Sequence, residues 1–406
     1  MRILNVNKFF YLRGGSERYF FDLGRLLESR GHEVIPFSMR SDRNVPSTFE
    51  EYFVSEIDFR SQPGWLGRIR ASVRVLYCLE ARRRVRDLIA RTNPQVGHLH
   101  NFAHQLSPSI LGPMKDAGMH IVQTLHDYKL VCPTYRFYAR DGICERCRGG
   151  RYLEAVRMRC NSGSWSASFV NALEMTLHHR VLRLYRHIDT FVAPSKFMRD
   201  KVVEFGIAPE KVTHLPYYLD LARFPESPAA GEYFVFAGRL SEEKGLLTLM
   251  RAMKDVRQLP LLVVGEGPME PILKREADRM APGTVKFLGH LDGGELRDTV
   301  ARSRCVVVPS EWYENSPLAI YEAFALGRPV VASRIGGIPE LVVHEHTGLL
   351  FEPGNAEDLA GSLARLADDA QMARSLGREA RKRVEAVCDP EYHLAELGKI
   401  YGEAIQ

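Results

Sequence analysis

No stretch of this 406-residue chain approaches the ~20 consecutive apolar residues of a membrane-spanning helix. Its opening, MRILNVNKFFYLRGG, reads as a strand and lacks the apolar core of a signal peptide. A cytoplasmic protein is therefore expected. Cysteine is scarce and odd in number, seven in all, which argues against a complete disulfide framework. Low-complexity tracts are missing, and no RNP, zinc-finger or helix-turn-helix signature is present, so no nucleic-acid partner is expected. Acidic residues run short only in the first 220 positions, where 33 Lys and Arg face 22 Asp and Glu, a balance of +11; the remainder balances to −6.

The length suffices for two or three domains, each burying its own core. The most informative stretch is Val306 to Glu340. Val306, Val307 and Val308 suit a buried parallel strand, which Pro309 ends. Glu314, Asn315, Ser316 and Pro317 then predict a helix entry, with Asn or Ser as cap and Pro at the first helical position. That helix carries Leu318, Tyr321, Glu322 and Ala325 and stops at Gly327. A helix N-terminus offers unpaired N–H groups to a phosphate. Glu314 and Glu322 would lie on one side of this helix, about 12 Å apart, too far for the carboxylate pair of a retaining glycoside hydrolase at about 5 Å. Such a gap suits two hydroxyl-bearing ends of one long ligand with phosphates between them.

The E-x7-E arrangement of Glu314 and Glu322, followed by GRPVVAS and GGIPE, resembles the donor-site signature of the family-4 retaining glycosyltransferases of GT-B fold. GRLSEEKG, with Arg239 and Lys244 at a strand end and the next helix start, is similar to the same family and suits a diphosphate. The resemblance implies an α/β protein with two Rossmann-like, doubly wound domains facing a central cleft. The implied parts are an acceptor-binding domain over 1–220, a nucleotide-sugar domain over 221–388, and a final helix, 389–406, packing back on the first domain. It further implies a nucleotide-diphosphate sugar as donor, a glycan or lipid-linked acceptor, retention of configuration and no catalytic metal. Arg239, Lys244 and the N–H groups at Ser316 to Leu318 would stabilise the departing diphosphate, Glu322 would bind ribose, and Glu314 would hold the transferred sugar. Surface polysaccharide or glycoconjugate synthesis is the implied setting. A non-catalytic sugar-nucleotide or glycan binder, or a scaffold of a polysaccharide assembly complex, is the alternative.

In the first half, Ile3 to Val6, a turn at Arg13 to Glu17 and a helix ending near Gly31 predict the β-loop-α start of a doubly wound sheet. Gly14 and Gly15 resemble the family's donor-phosphate loop. His100 and His126 end two apolar strands, and His126-Asp127 resembles the family's HD element, which implies that His126 positions and stabilises the reacting sugar. At the hinge the family's P-N-G-V-D is replaced by Pro216, Tyr217, Tyr218, Leu219 and Asp220.

Cys132, Cys144, Cys147 and Cys160, within a Cys-rich insertion over 130–162, have the spacing C-x11-C-x2-C-x12-C. This suits a structural zinc site, with disulfides, an iron–sulfur cluster or unpaired thiols as alternatives. Trp65 to Arg91 places Leu66, Ile69, Val73, Leu76 and Leu79 at helical spacing among arginines. Such a helix either docks on an anionic membrane, which would hold the protein to the inner face, or covers a core.

Overall fold

The structure is a computed structural model and describes residues 1–57, 67, 72–139, 142–226, 231–291 and 293–402. The chain forms two compact units. One comprises Met1–Arg140, Cys144–Tyr218 and Pro390–Gln406; the other comprises Leu219–Asp389 with Asp141–Ile143.

The first unit is organised on a six-stranded parallel sheet of β1 (Arg2–Val6), β2 (Glu33–Phe37), β3 (Val96–Leu99), β4 (His120–Thr124), β5 (Thr190–Ala193) and β6 (Val212–His214), in the order β2-β1-β3-β4-β5-β6. Ile3 pairs with Val34 on one side and Val96 on the other, so β1 is an interior strand, and after Arg2 it is apolar except for Asn5, as burial on both faces demands. Helix α1 (Gly15–Glu28) turns Tyr19, Phe20, Leu23 and Leu27 to the core. Helix α2 (Leu79–Thr92) buries Ala81, Val85, Leu88 and Ile89. This helix covers a core, but of the apolar residues at helical spacing Val73 and Leu79 are exposed and Leu76 is half-buried, and Trp65, Leu66 and Ile69 lie outside the described residues.

Helix α3 (Trp165–Thr176) widens into a π turn over Leu177–Val181. The widened turn lets His178 bond the Glu174 carboxylate at 3.2 Å and the Leu76 carbonyl at 2.6 Å.

The second unit has its own parallel sheet: β7 (Phe234–Ala237), β8 (Leu261–Val264), β9 (Val285–Gly289), β10 (Cys305–Val308), β11 (Val330–Ser333) and β12 (Gly348–Phe351), in the order β9-β8-β7-β10-β11-β12. This is the doubly wound order of nucleotide-binding sheets, whose ligands sit at the carboxyl edge where the winding reverses. Here that point lies between β7 and β10. Its helices include α4 (Leu246–Ala252), α5 (Leu318–Ala325), α6 (Ala356–Asp368) and α7 (Ala370–Val387). Phe234, Leu249, Val263, Val307, Phe351 and Leu363 are central to its core.

The final helix, α8 (Pro390–Gly402), belongs to the first unit. Tyr401, 1% exposed, bonds His98 Nδ1 at 2.5 Å, and His393 bonds the Tyr19 hydroxyl at 3.2 Å. Among the described residues no helix is long and apolar enough to cross a membrane.

Candidate active site

The reversal point of the second sheet gathers most of the residues singled out in that half. The chain leaves β7 through Gly238 and exposed Arg239, and leaves β10 through Pro309 and Ser310. Lys244 ends a short 3-10 turn, Glu242–Lys244, rather than opening an α-helix. Its Nζ reaches Glu314 Oε1 at 2.6 Å and lies 5.2 Å from the Trp312 ring centroid. The Ser310 hydroxyl donates to the same carboxylate oxygen at 2.6 Å. Burial alone would push the Glu314 carboxyl up, yet the Lys244 ammonium and these hydrogen bonds hold it below its ordinary value. Glu314 is therefore an anion inside the protein and can only accept hydrogen bonds.

Two glycines make this arrangement feasible. Gly245 has φ +68, and a Cβ there would lie 1.8 Å from the Pro309 carbonyl oxygen. Gly336, in the GGIPE segment, has φ +59, and its Cβ would lie 2.3 Å from the Glu314 carbonyl oxygen. The next residue, Gly337, donates its N–H to that same oxygen at 2.8 Å. The motif glycines thus let one loop lie directly against the backbone that carries Glu314.

The expected helix geometry needs correction. Glu314, Asn315 and Ser316 precede the helix, Pro317 is its cap in extended conformation (φ −69, ψ 116), and α5 begins at Leu318. No side chain caps it; the Ser316 hydroxyl bonds Tyr321 at 2.9 Å instead. Only Glu322 stands on the helix, half-buried in its second turn. The eight-residue spacing therefore separates a loop carboxylate from a helical one, not two points on one helical face.

In the first unit His126 sits at the end of a buried polar chain. Its Nε2 is 2.9 Å from His100 Nδ1, and His100 Nε2 is 3.0 Å from Asn5 Oδ1. The Tyr217 hydroxyl is 2.8 Å from His126 Nδ1. With Asn5 oriented to accept, the donors are ordered: His100 donates to Asn5, His126 to His100, and Tyr217 to His126. Burial, then the neighbouring His98 and Lys8, lowers His126 to about 3, so the ring is neutral with both nitrogens engaged. His126 is thus a ring held on both sides. Tyr217, one of the two residues that depart from the family hinge, supplies its tautomer-setting partner. Gly14 caps α1 in extended backbone (φ −172), a conformation open to any residue, and Gly15 is the first helical residue.

The four spaced cysteines form no disulfide, and among the described residues no group of three or more His, Cys, Asp or Glu is placed to hold a metal. Cys147 packs with Tyr152, Val156, Ala172 and Met175, with Cys160 against the same cluster. Burial, then the neighbouring Cys144 and Cys132 thiols, raises the Cys160 thiol to about 11.

Sequence reasoning missed the buried carboxylate Glu174. It is fully enclosed, pairs with the Lys129 ammonium, bonds His178 Nδ1 at 3.2 Å and lies 3.7 Å from His104 Nε2. Burial would raise its carboxyl, but Lys129 and the two histidines hold it well below the usual range. The signal available was a lone acid in an otherwise apolar and small-residue helix, WSASFVNALEMT.

These features define a two-unit, doubly wound protein with a charged, phosphate-suited sheet edge. The profile described as Glycosyltransferase Family 4 matches residues 13–223, and that described as Glycosyl transferases group 1 matches 221–383. The chain belongs to glycosyltransferase family 4. Among curated relatives it is 31% identical over 250 residues to the glycogen synthase of Mycobacterium tuberculosis, covering 59% of this chain and 60% of that protein. The match thus spans about 60% of the relative's length. Sucrose-phosphate synthase from Thermosynechococcus elongatus superposes with a TM-score of 0.73 at 22% identity, covering 100% of this chain and 99% of the other. Anabaena HepE, solved in complex with UDP-glucose, superposes with a TM-score of 0.69 at 18% identity, covering 99% and 100%. At these identities the structural likeness shows the fold alone, which is GT-B.

Proposed function

We propose that this chain transfers a sugar from a nucleotide-diphosphate sugar to a hydroxyl of a glycan or lipid-linked acceptor, retaining the configuration at the transferred carbon. The observation that carries this reading is the Lys244–Glu314 pair at 2.6 Å on the reversal edge of the second sheet. In a nucleotide sugar the β-phosphate is bonded directly to the sugar. A cation for the phosphate and a carboxylate for sugar hydroxyls must therefore be adjacent, as these two are.

In this reading Lys244 and exposed Arg239 neutralise charge on the departing diphosphate, helped by N–H groups at Ser316 and Leu318. Because that charge grows as the glycosidic bond breaks, these contacts strengthen toward the transition state and lower the barrier. Anionic Glu314 accepts hydrogen bonds from the sugar, and Glu322 accepts them from ribose. His126, neutral and fixed by Tyr217, presents an oriented ring at the end of β4 and supplies position, not proton transfer. The departing phosphate oxygen is the base for the incoming hydroxyl, which allows attack from the face the nucleotide leaves. The HepE complex with UDP-glucose supports a nucleotide-sugar donor.

A screen of UDP-, GDP- and ADP-sugars for donor hydrolysis and transfer tests the proposal, with NMR of the product for anomeric configuration. Turnover of one donor class, lost in Lys244→Ala, is expected. Failure of all three donor classes to bind would overturn it.

A further inference from the structure

Helix α3 is built inside out. Trp165, Phe169 and Leu173 recur every four residues, so they form a stripe advancing by about 40° per step along one face. They are 53%, 52% and 42% exposed. The opposite face is buried and carries Ser168, Asn171 and Glu174. Leu153, 68% exposed, extends the apolar surface from the short helix that packs on α3, and Val181 and Leu182 extend it beyond the C-terminal end. A soluble helix keeps its polar face outward, so an outward apolar stripe marks a docking surface.

Charge identifies the occupant. From Arg146 to Arg186 the sequence holds eight arginines and only two acids, Glu154 and Glu174. Glu154 is paired with Arg157, and Glu174 is buried against Lys129. Arg159 lies over the Trp165 ring, 5.3 Å from its centroid, while exposed Arg180 and Arg183 flank Val181. The stripe is thus rimmed with positive charge at both ends. A second copy meeting it face to face would bring like-charged rims together. A surface of anionic headgroups over hydrocarbon satisfies both parts, with tryptophan and arginine at the boundary they favour.

We propose that this face seats on an anionic lipid bilayer, with Trp165, Phe169 and Leu173 entering the interfacial layer and Arg159, Arg180 and Arg183 meeting headgroup phosphates. The docking surface lies on α3 and its flanks. It is independent of the donor-site reading.

The test is co-sedimentation of the full chain with phosphatidylcholine vesicles, with and without about 30 mol % phosphatidylglycerol, at low and high salt. Binding to the anionic vesicles that weakens with salt is expected. The double variant Phe169→Asp with Leu173→Asp should lower the partition coefficient by about tenfold or more. Arg159→Glu with Arg183→Glu, which changes only exposed side chains, should lower it about tenfold as well. Thermal melting and UDP affinity serve as folding controls. Wild-type protein that ignores anionic vesicles, or folded variants of both kinds that bind like wild type, would overturn the proposal. So would a dimer in sedimentation equilibrium that the aspartates break without any vesicle binding.

Discussion

The two units carry parallel sheets of equal strand number, yet they treat charge in opposite ways. The second brings a lysine and a carboxylate to the sheet edge and keeps Arg239 exposed beside them. The first buries its titratable groups: His98, His100, His126 and His393 are enclosed, and Glu174 is sealed among Lys129, His104 and His178. The contrast separates two tasks. A diphosphate needs charge that stays ionised and within reach, whereas a ring that must only be oriented is best kept neutral and hydrogen-bonded on both sides.

Acid should break this contrast most severely. Burial lowers His98 and His126 to about 3 and His393 to about 4, and places His100 well below its ordinary value. Each is neutral in the folded chain and takes up a proton near pH 6.5 once unfolded, so below that pH the unfolded state binds more protons. The stability they contribute is complete above about pH 6.5 and falls as pH drops toward about 4, by up to about 2 kcal/mol per histidine at pH 5. The histidines of the second unit, His290, His344 and His346, are exposed. Hydrogen exchange at pH 5 should therefore show the first unit opening before the second.

Next in size is Lys244→Ala, expected to lower turnover about 100-fold, because it removes a cation from the phosphate and leaves Glu314 enclosed without its partner. Lys244→Arg should recover part of it in the same steady-state assay. Glu322→Ala should weaken donor binding by about 1 to 3 kcal/mol in calorimetry while leaving thermal stability nearly unchanged, since the side chain is half-buried. The smallest effect is Tyr217→Phe. It strips His126 Nδ1 of its donor and should lower kcat about fivefold, within the ~1 kcal/mol worth of one hydrogen bond, with donor KM unchanged.

The difference between the units also governs what the sequence discloses. In the second, the strand Val306–Val308, the GRLSEEKG turn and the GGIPE glycines are local signals, and each turn conformation is dictated within a few residues. What stayed hidden was tertiary: the spacing of Glu314 and Glu322 suggests one helix, but Pro317 delays its start to Leu318. In the first, the strand ends at His100 and His126 are legible, while their partners Asn5 and Tyr217 come from distant segments. The cysteine spacing is legible, while the burial of Cys147 beside Tyr152, Val156 and Met175 is not. The inverted face of α3 is invisible to periodicity, which shows that a stripe exists but not which side faces the core.

The most direct measurement is a crystal structure with the nucleotide sugar that turns over. The account predicts the β-phosphate within hydrogen-bonding distance of Lys244 Nζ and the N–H groups at Ser316 or Leu318, with sugar hydroxyls on Glu314. A diphosphate bound away from Lys244, with the Lys244–Glu314 pair left facing no ligand, would contradict it.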